Sequence, residues 1–136
     1  MSNIDIDLEK FQQLAYSCYV QVKDNKYDGI LCILNGGLYL ADFLSKKMNL
    51  PIATINFKSY EEEKQKELKL LSYSIFIKGY YLIVDDIYDT GKTIERVKEF
   101  YGNNFDEIVL VSKNKKIKHG YYHSTNEWVD FFWEKF

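Results

Sequence analysis

Residues 80–97 read YYLIVDDIYDTGKTIERV, and the order of residue types in this stretch decides the fold. Tyr80 to Val84 is a short apolar run, the pattern of a strand buried on both faces. Asp85 and Asp86 close it, a turn carrying a third carboxylate at Asp89 follows, and Thr90, Gly91, Lys92 and Thr93 open a helix with apolar positions at Ile94, Val97 and Phe100. The unit is strand, acidic turn, helix.

The same unit recurs upstream. Ile30 to Leu34 is an apolar run that ends at Gly36-Gly37, after which Leu40, Ala41, Leu44 and Met48 take up a helical period. Pro51 to Phe57 and Glu107 to Ser112 (EIVLVS) read as further strands. Leu8, Phe11, Ala15, Cys18 and Val22 predict an amphipathic helix over residues 7–24, with Asp5 or Asp7 as its cap. The charged run SYEEEKQKELK, Ser59 to Lys69, interrupts the alternation and by composition alone reads as a solvated helix with Glu-to-Lys pairs. An aromatic C-terminal segment holds Trp128, Phe131, Phe132 and Trp133. Apolar strands separated by helices predict an α/β fold, a central, mostly parallel sheet flanked by helices. Ligands of such sheets sit at the carboxyl ends of the strands, where both the glycine turn and the acidic turn fall.

Composition narrows the class. At 136 residues and 46% hydrophobic, with one proline and no Gly/Ser-rich linker, the chain is expected to form a single domain over residues 1–136. A formal charge of -2 gives no general attraction to nucleic acid or to an anionic membrane surface. Neither Cys18 nor Cys32 belongs to a CxxC pair, no basic and apolar leader opens the chain, and no run approaches the length of a membrane span. A cytoplasmic protein with free buried thiols and no integral membrane association is expected. His119 and His123 lie four apart, but the intervening glycine and tyrosines do not read as a helix, so they do not suggest a metal site.

The acidic turn has a specific chemistry. A helix start offers unpaired N–H groups and the positive end of its dipole, Gly91 allows close approach, and Thr90 and Thr93 add hydroxyls, so an anion such as a phosphate monoester fits. Asp85 and Asp86 would repel a bare phosphate, and therefore call for a ligand that brings hydroxyl donors or magnesium. A ribose phosphate with a metal satisfies the whole loop. Gly91-Lys92-Thr93 looks like the end of a nucleotide-binding P-loop, but the first glycine of that motif would fall on Asp86. Simple capping of the helix needs one acid, and three are present.

VDDIYDTGKT, from Val84 to Thr93, resembles the phosphoribosyl pyrophosphate signature of the type I phosphoribosyltransferases, and nearly the whole chain is similar to their 6-oxopurine branch, above all to the bacterial xanthine-guanine enzymes. The resemblance implies that family's fold, with a small mobile hood over about residues 58–78. It also implies transfer of phosphoribosyl from phosphoribosyl pyrophosphate to xanthine, guanine or hypoxanthine, with magnesium as cofactor, by a homo-oligomer, dimer or tetramer. LNGGL, Leu34 to Leu38, resembles the pyrophosphate loop, with Asn35 and Gly36 as contacts and a cis peptide at Leu34-Asn35. Ser59, Tyr60 and Lys66 match hood positions that close on substrate. Asp85 and Asp86 would serve the ribose hydroxyls and the metal, and Asp89 would be the base. Tyr88, Thr90, Gly91, Lys92 and Thr93 complete the phosphate side. Lys113 would donate to the purine's exocyclic oxygen, Trp128 would stack on its ring, and the Val129 backbone would meet its other edge.

There are departures from the family pattern. Asn35 stands where relatives often carry a basic residue, and Arg96 is the sole arginine, so basic pyrophosphate contacts would come from lysine or another subunit. A different class, a non-catalytic regulator that senses phosphoribosyl pyrophosphate and binds nucleic acid, would need a basic face. The lysines between Lys113 and Lys118 are the one candidate patch on an acidic chain.

Overall fold

The computed structural model describes residues 3–62, 65–74, 78–122 and 127–135. In chain order the elements are β1 (Asn3–Ile6), α1 (Leu8–Val22), β2 (Gly29–Leu34), α2 (Leu38–Met48), β3 (Ile52–Glu62), β4 (Gln65–Tyr73), β5 (Tyr81–Tyr88), α3 (Lys92–Tyr101), β6 (Phe105–Ser112), β7 (His119–Tyr122) and β8 (Trp128–Phe131), followed by a 3-10 turn at Phe132–Lys135. Asp7, not Asp5, caps α1, its Oδ1 accepting the Lys10 N–H at 2.8 Å. Asp5 lies inside β1.

Six strands form one sheet in the order β4-β3-β2-β5-β6-β7, parallel throughout except for the β3–β4 pair. Alternation along the central strands sends Ile30, Cys32, Leu82, Val84, Ile108 and Leu110 to the face covered by α1 and α2. Leu31, Ile33, Ile83 and Val109 go to the face covered by α3 through Ile94 and Val97. Burial on both sides explains why these strands are apolar without a break. Phe100 is an exception among the expected core positions of α3. It is 39% exposed and packs edge-on against Tyr73 with ring centres 4.6 Å apart.

The run from Ser59 to Lys69 is not a helix. β3 continues from the sheet through Glu62 and returns as β4, an antiparallel hairpin with a register shift between Asn56 and Phe57. β2 ends at Leu34, whose partner is Asn56, so the hairpin projects past the carboxyl end of β2. Glu-to-Lys spacing is compatible with either structure, and pairing with the sheet-anchored first half of β3 decides between them. The base of the hairpin is tied down at Ser74. Ser74 exchanges hydrogen bonds with the Thr54 backbone at 2.9 and 3.0 Å, and its carbonyl accepts the Tyr101 hydroxyl at 2.6 Å. The side chains of Ser59, Tyr60 and Lys66 lie outside what is described, as does His123.

Three further strands had no counterpart in the sequence reading. β1 and β8 form a small parallel pair that joins the two ends of the described chain, Ile4 opposite Val129. β7 extends the sheet beside β6 and places His119 next to Asp106. Asp106 is buried at the amino end of β6. Its carboxylate accepts the Tyr27 hydroxyl and, at 3.0 Å, the Glu107 N–H, and lies 3.1 Å from His119 Nε2 and 3.6 Å from Lys118 Nζ. Burial pushes this carboxyl up, but Tyr27, the Glu107 amide, His119 and Lys118 outweigh it and hold the group below the usual carboxylate range. A depressed native pKa stabilises the fold above the ordinary carboxylate range, and the contribution is lost as pH falls through and below it. Asp106→Asn is expected to cost about 1–3 kcal/mol at pH 7 in urea unfolding, and the gap between parent and variant should shrink on acidification below pH ~4.

Candidate active site

The sheet grows outward in both directions from its centre. From β2 the chain crosses through α2 to β3 on one side, and from β5 it crosses through α3 to β6 on the other. β2 and β5 are therefore adjacent strands whose connections diverge, and a crevice opens at their carboxyl ends. Residues 35–37 lie on one side of it and residues 85–93 on the other.

Close packing brings the two loops together. Gly36 lies directly against the Asp86 carboxyl, so that a Cβ at this position would overlap it. A Cβ on Gly37 would meet the Val84 carbonyl at 2.6 Å and the Ile33 carbonyl at 2.7 Å. The peptide Leu34-Asn35 is cis, in agreement with the resemblance. Gly37 N–H returns to the Ile33 carbonyl at 2.9 Å and Leu38 N–H to the Asn35 carbonyl at 3.1 Å, which closes the loop onto the start of α2.

Asp85 and Asp86 belong to β5, as the sequence predicts, and the strand runs on past them to Tyr88. Asp85 Oδ1 accepts the Asp86 N–H and Asp86 Oδ1 accepts the Ile87 N–H, both at 2.8 Å. Among the described residues no cationic side chain pairs with either carboxylate. Burial, then the neighbouring Asp86 charge, raises Asp85 well above the ordinary carboxylate range, and burial raises Asp86. The negative field extends outward. Burial followed by Asp85 and Asp86 pushes the Cys32 thiol up to about 12, and burial followed by Asp86 raises Glu134 in the C-terminal 3-10 turn.

The segment from Asp85 to Ile94 encloses a cavity of about 230 Å³. That is below the ~300–1,000 Å³ common for drug-sized ligands and suits a phosphate with a pentose. Gly91 caps α3 at φ 85, and the first helical bond is from Glu95 N–H to the Gly91 carbonyl at 2.9 Å. The N–H groups of Lys92, Thr93 and Ile94 precede that bond and have no partner within the helix, apart from a long contact of 3.4 Å from Lys92 to Thr90 Oγ1. A larger groove of about 640 Å³ between α1 and α2, lined by Leu8, Phe43 and Phe132 among others, lacks both the carboxylate pair and a helix start, so the chemistry belongs to the smaller cavity.

Tyr88 is mostly core. Its ring packs beneath the loop with Ile94 and Val97, and its hydroxyl occupies the space where a Gly91 Cβ would stand. It shapes the loop from below while its carbonyl accepts the Lys113 N–H at 2.8 Å. Asp89, Thr90 and Lys92 are exposed at the cavity mouth and Thr93 is half-buried. Trp128 is 64% exposed, which rules out a core role, whereas Val129 is buried and can offer a ligand only its main chain. Arg96 pairs with Glu99 on the exposed side of α3 at 3.4 Å and does not reach the crevice.

Several contributors were missed by sequence reading. Trp133 is sandwiched between Tyr39 and Phe131, with ring centres 4.5 Å away on each side and planes within 11° and 8° of parallel. This stack, worth about 0.5–1.5 kcal/mol per pair, ties the segment after Trp128 and Val129 to the start of α2. Asn114 bonds the Asp89 carbonyl through Nδ2 at 3.0 Å. A Ser-x-Asn turn at a strand end was the available signal, hidden among lysines.

Gly91 and Gly102 both have positive φ, 85° and 104°, but a side chain at Gly102 would meet open space. Gly91→Ala should therefore lower the melting temperature, by the equivalent of ~1–3 kcal/mol from the overlap with Tyr88, which is buried and cannot yield freely.

Comparison with known proteins agrees with this geometry. The chain is 26% identical over 118 residues to xanthine-guanine phosphoribosyltransferase of Chromohalobacter salexigens, covering 84% of this chain and 73% of that one. It superposes on the xanthine-guanine-hypoxanthine phosphoribosyltransferase of Helicobacter pylori with a TM-score of 0.84 at 27% identity, over 98% of this chain and 94% of that chain. A purine phosphoribosyltransferase from Pyrococcus horikoshii shares the fold with a TM-score of 0.85 at 23% identity, over 100% and 96% of the two chains. With residues 3–134 matched by the model of the phosphoribosyl transferase domain, the chain belongs to that family of pentosyl-transferring enzymes.

Proposed function

We propose that this protein transfers the phosphoribosyl group of phosphoribosyl pyrophosphate to a 6-oxopurine base and releases pyrophosphate, a purine-salvage reaction carried out in the cytoplasm by a homo-oligomer. The observation that carries the reading is the packing of Gly36 against the Asp86 carboxyl, which sets the glycine loop after β2 and the acidic segment from Asp85 to Thr93 face to face. Two relatives above 25% identity, one curated and one of solved structure, are named as xanthine-guanine and xanthine-guanine-hypoxanthine phosphoribosyltransferases.

The chain's own groups divide the work. Unpaired N–H groups at the start of α3 and the Thr90 and Thr93 hydroxyls hold the 5′-phosphate. Asp85 and Asp86 accept the ribose hydroxyls. They also fit magnesium, since two adjacent carboxylates, one buried and one half-buried, with raised pKa values and no cationic partner among the described residues are a hard-oxygen donor set lacking its counter-charge. Magnesium held there would supply positive charge to the departing pyrophosphate. Asn35 and the Gly36 backbone face the pyrophosphate, and lysines, including Lys66 of the hood, supply basic contacts. Lys113 donates to the purine oxygen, Trp128 stacks on the ring, and the Val129 main chain meets the opposite edge.

In the transfer, a purine ring nitrogen forms a bond to the anomeric carbon as the carbon–oxygen bond to pyrophosphate breaks, and the leaving oxygen keeps the electron pair. Asp89 takes the proton released by that nitrogen. Ser59 and Tyr60 on the hairpin close over the sugar and exclude water. Holding both reactants in line removes on the order of 7–11 kcal/mol of barrier, more than the proton transfer contributes.

Incubation with phosphoribosyl pyrophosphate, magnesium and xanthine, guanine or hypoxanthine in turn should yield the matching nucleotide on chromatography. A salt-dependent shift of RNA or DNA with no turnover of any base would replace this reading with the regulator. Asp89→Asn should slow turnover by about 10²- to 10⁴-fold, and parent-like turnover would remove Asp89 as the base. A chelator should stop the reaction and magnesium restore it, with Asp86→Asn needing more magnesium for half-maximal rate.

A further inference from the structure

We propose that Asn114 is the residue that sets Asp89 opposite Lys113, a positioning residue for the transfer reaction; the inference rests on the function proposed above. β5 and β6 pair in parallel as far as Tyr88 opposite Ser112. Asp89 and Lys113 are the first residues beyond that pair, and the Lys113 N–H to Tyr88 carbonyl bond of 2.8 Å is the last rung of the ladder. Past it the two chains part, one toward α3 and the other toward β7. Beyond that rung, Asp89 is held relative to Lys113 by the start of α3 and by side-chain contacts.

Asn114 provides such a contact, and its own orientation is determined at every polar atom. Its backbone N–H reaches Ser112 Oγ at 3.2 Å, and the Ser112 hydroxyl donates to its carbonyl. Its Oδ1 accepts the Lys116 N–H at 2.7 Å. Because that partner can only donate, the oxygen of the amide must lie there, and the NH₂ group must point the other way. It meets the Asp89 carbonyl at 3.0 Å. The loop beyond Asp89 runs through Gly91, a residue with free backbone torsions, so without this bond only the start of α3 would orient the candidate base.

Donor and acceptor are separable by substitution. Aspartate at 114 has the same shape and can still accept from Lys116, but it places an oxygen against the Asp89 carbonyl. Alanine loses both bonds. Asn114→Asp should keep a melting temperature within a few degrees of the parent while kcat/KM for the purine falls about tenfold. KM for phosphoribosyl pyrophosphate should change little, because the phosphate cradle is held by α3. The effect should also be non-additive. In an Asp89→Asn background, Asn114→Asp should cost at most about twofold, since it acts through the group already removed.

Parent-like purine kinetics for Asn114→Asp, or a full tenfold loss that persists in the Asp89→Asn background, would overturn the positioning role while leaving the proposed function standing. Absence of any transfer by the parent chain would instead sink the function, and this inference with it.

Discussion

The site depends on the parallel pairing of β2 with β5 and on what that pairing does to the two loops at its end. Because the connections leave in opposite directions, the carboxyl ends of these strands cannot be covered by their own helices, and Gly36 and Asp86 are left face to face. A side chain at Gly36 would have to displace the Asp86 carboxyl. Every other element of the site is placed with respect to it: α3 and its free N–H groups follow Asp86 by six residues, and α2 begins directly after Gly37.

Two carboxylates side by side in a buried place are costly, and their raised pKa values express that cost. The rest of the fold does not relieve it with a nearby cation among the described residues. Backbone N–H groups of Asp86 and Ile87 satisfy one oxygen of each, and the other oxygen of Asp86 lies against Gly36. A site built this way gains most from a ligand that brings hydroxyls and positive charge together, which is the chemistry of a metal-bound ribose. The field also reaches Glu134, so the C-terminal turn takes part in the same electrostatic environment.

Two devices hold the far walls of the crevice. The Tyr39–Trp133–Phe131 stack joins the C-terminal segment to α2, and the Ser74 cluster with Thr54 and Tyr101 fixes the root of the hairpin. The first holds the segment that follows β8 against the start of α2. The second leaves the register shift at Asn56 and Phe57 as the point where the hairpin departs from the sheet. Both depend on contacts between residues 20 or more positions apart.

Residues 80–97 by themselves determined the strand, the acidic turn, the helix start and hence the α/β class, because burial on two faces and an anion-binding helix terminus are local patterns of residue type. The glycine turn after Leu34 was legible for the same reason, and the cap of α1 was narrowed to Asp5 or Asp7, of which the structure selects Asp7. The hairpin at 59–69 was not, since charge spacing is shared by helices and exposed strands and only pairing with β3's anchored half selects one. Nor were Asn114, Trp133 or the Gly36–Asp86 contact. Their partners lie 25, 94 and 50 positions away in the chain, and which distant residue a side chain meets is decided by strand order and packing, not by its neighbours in sequence.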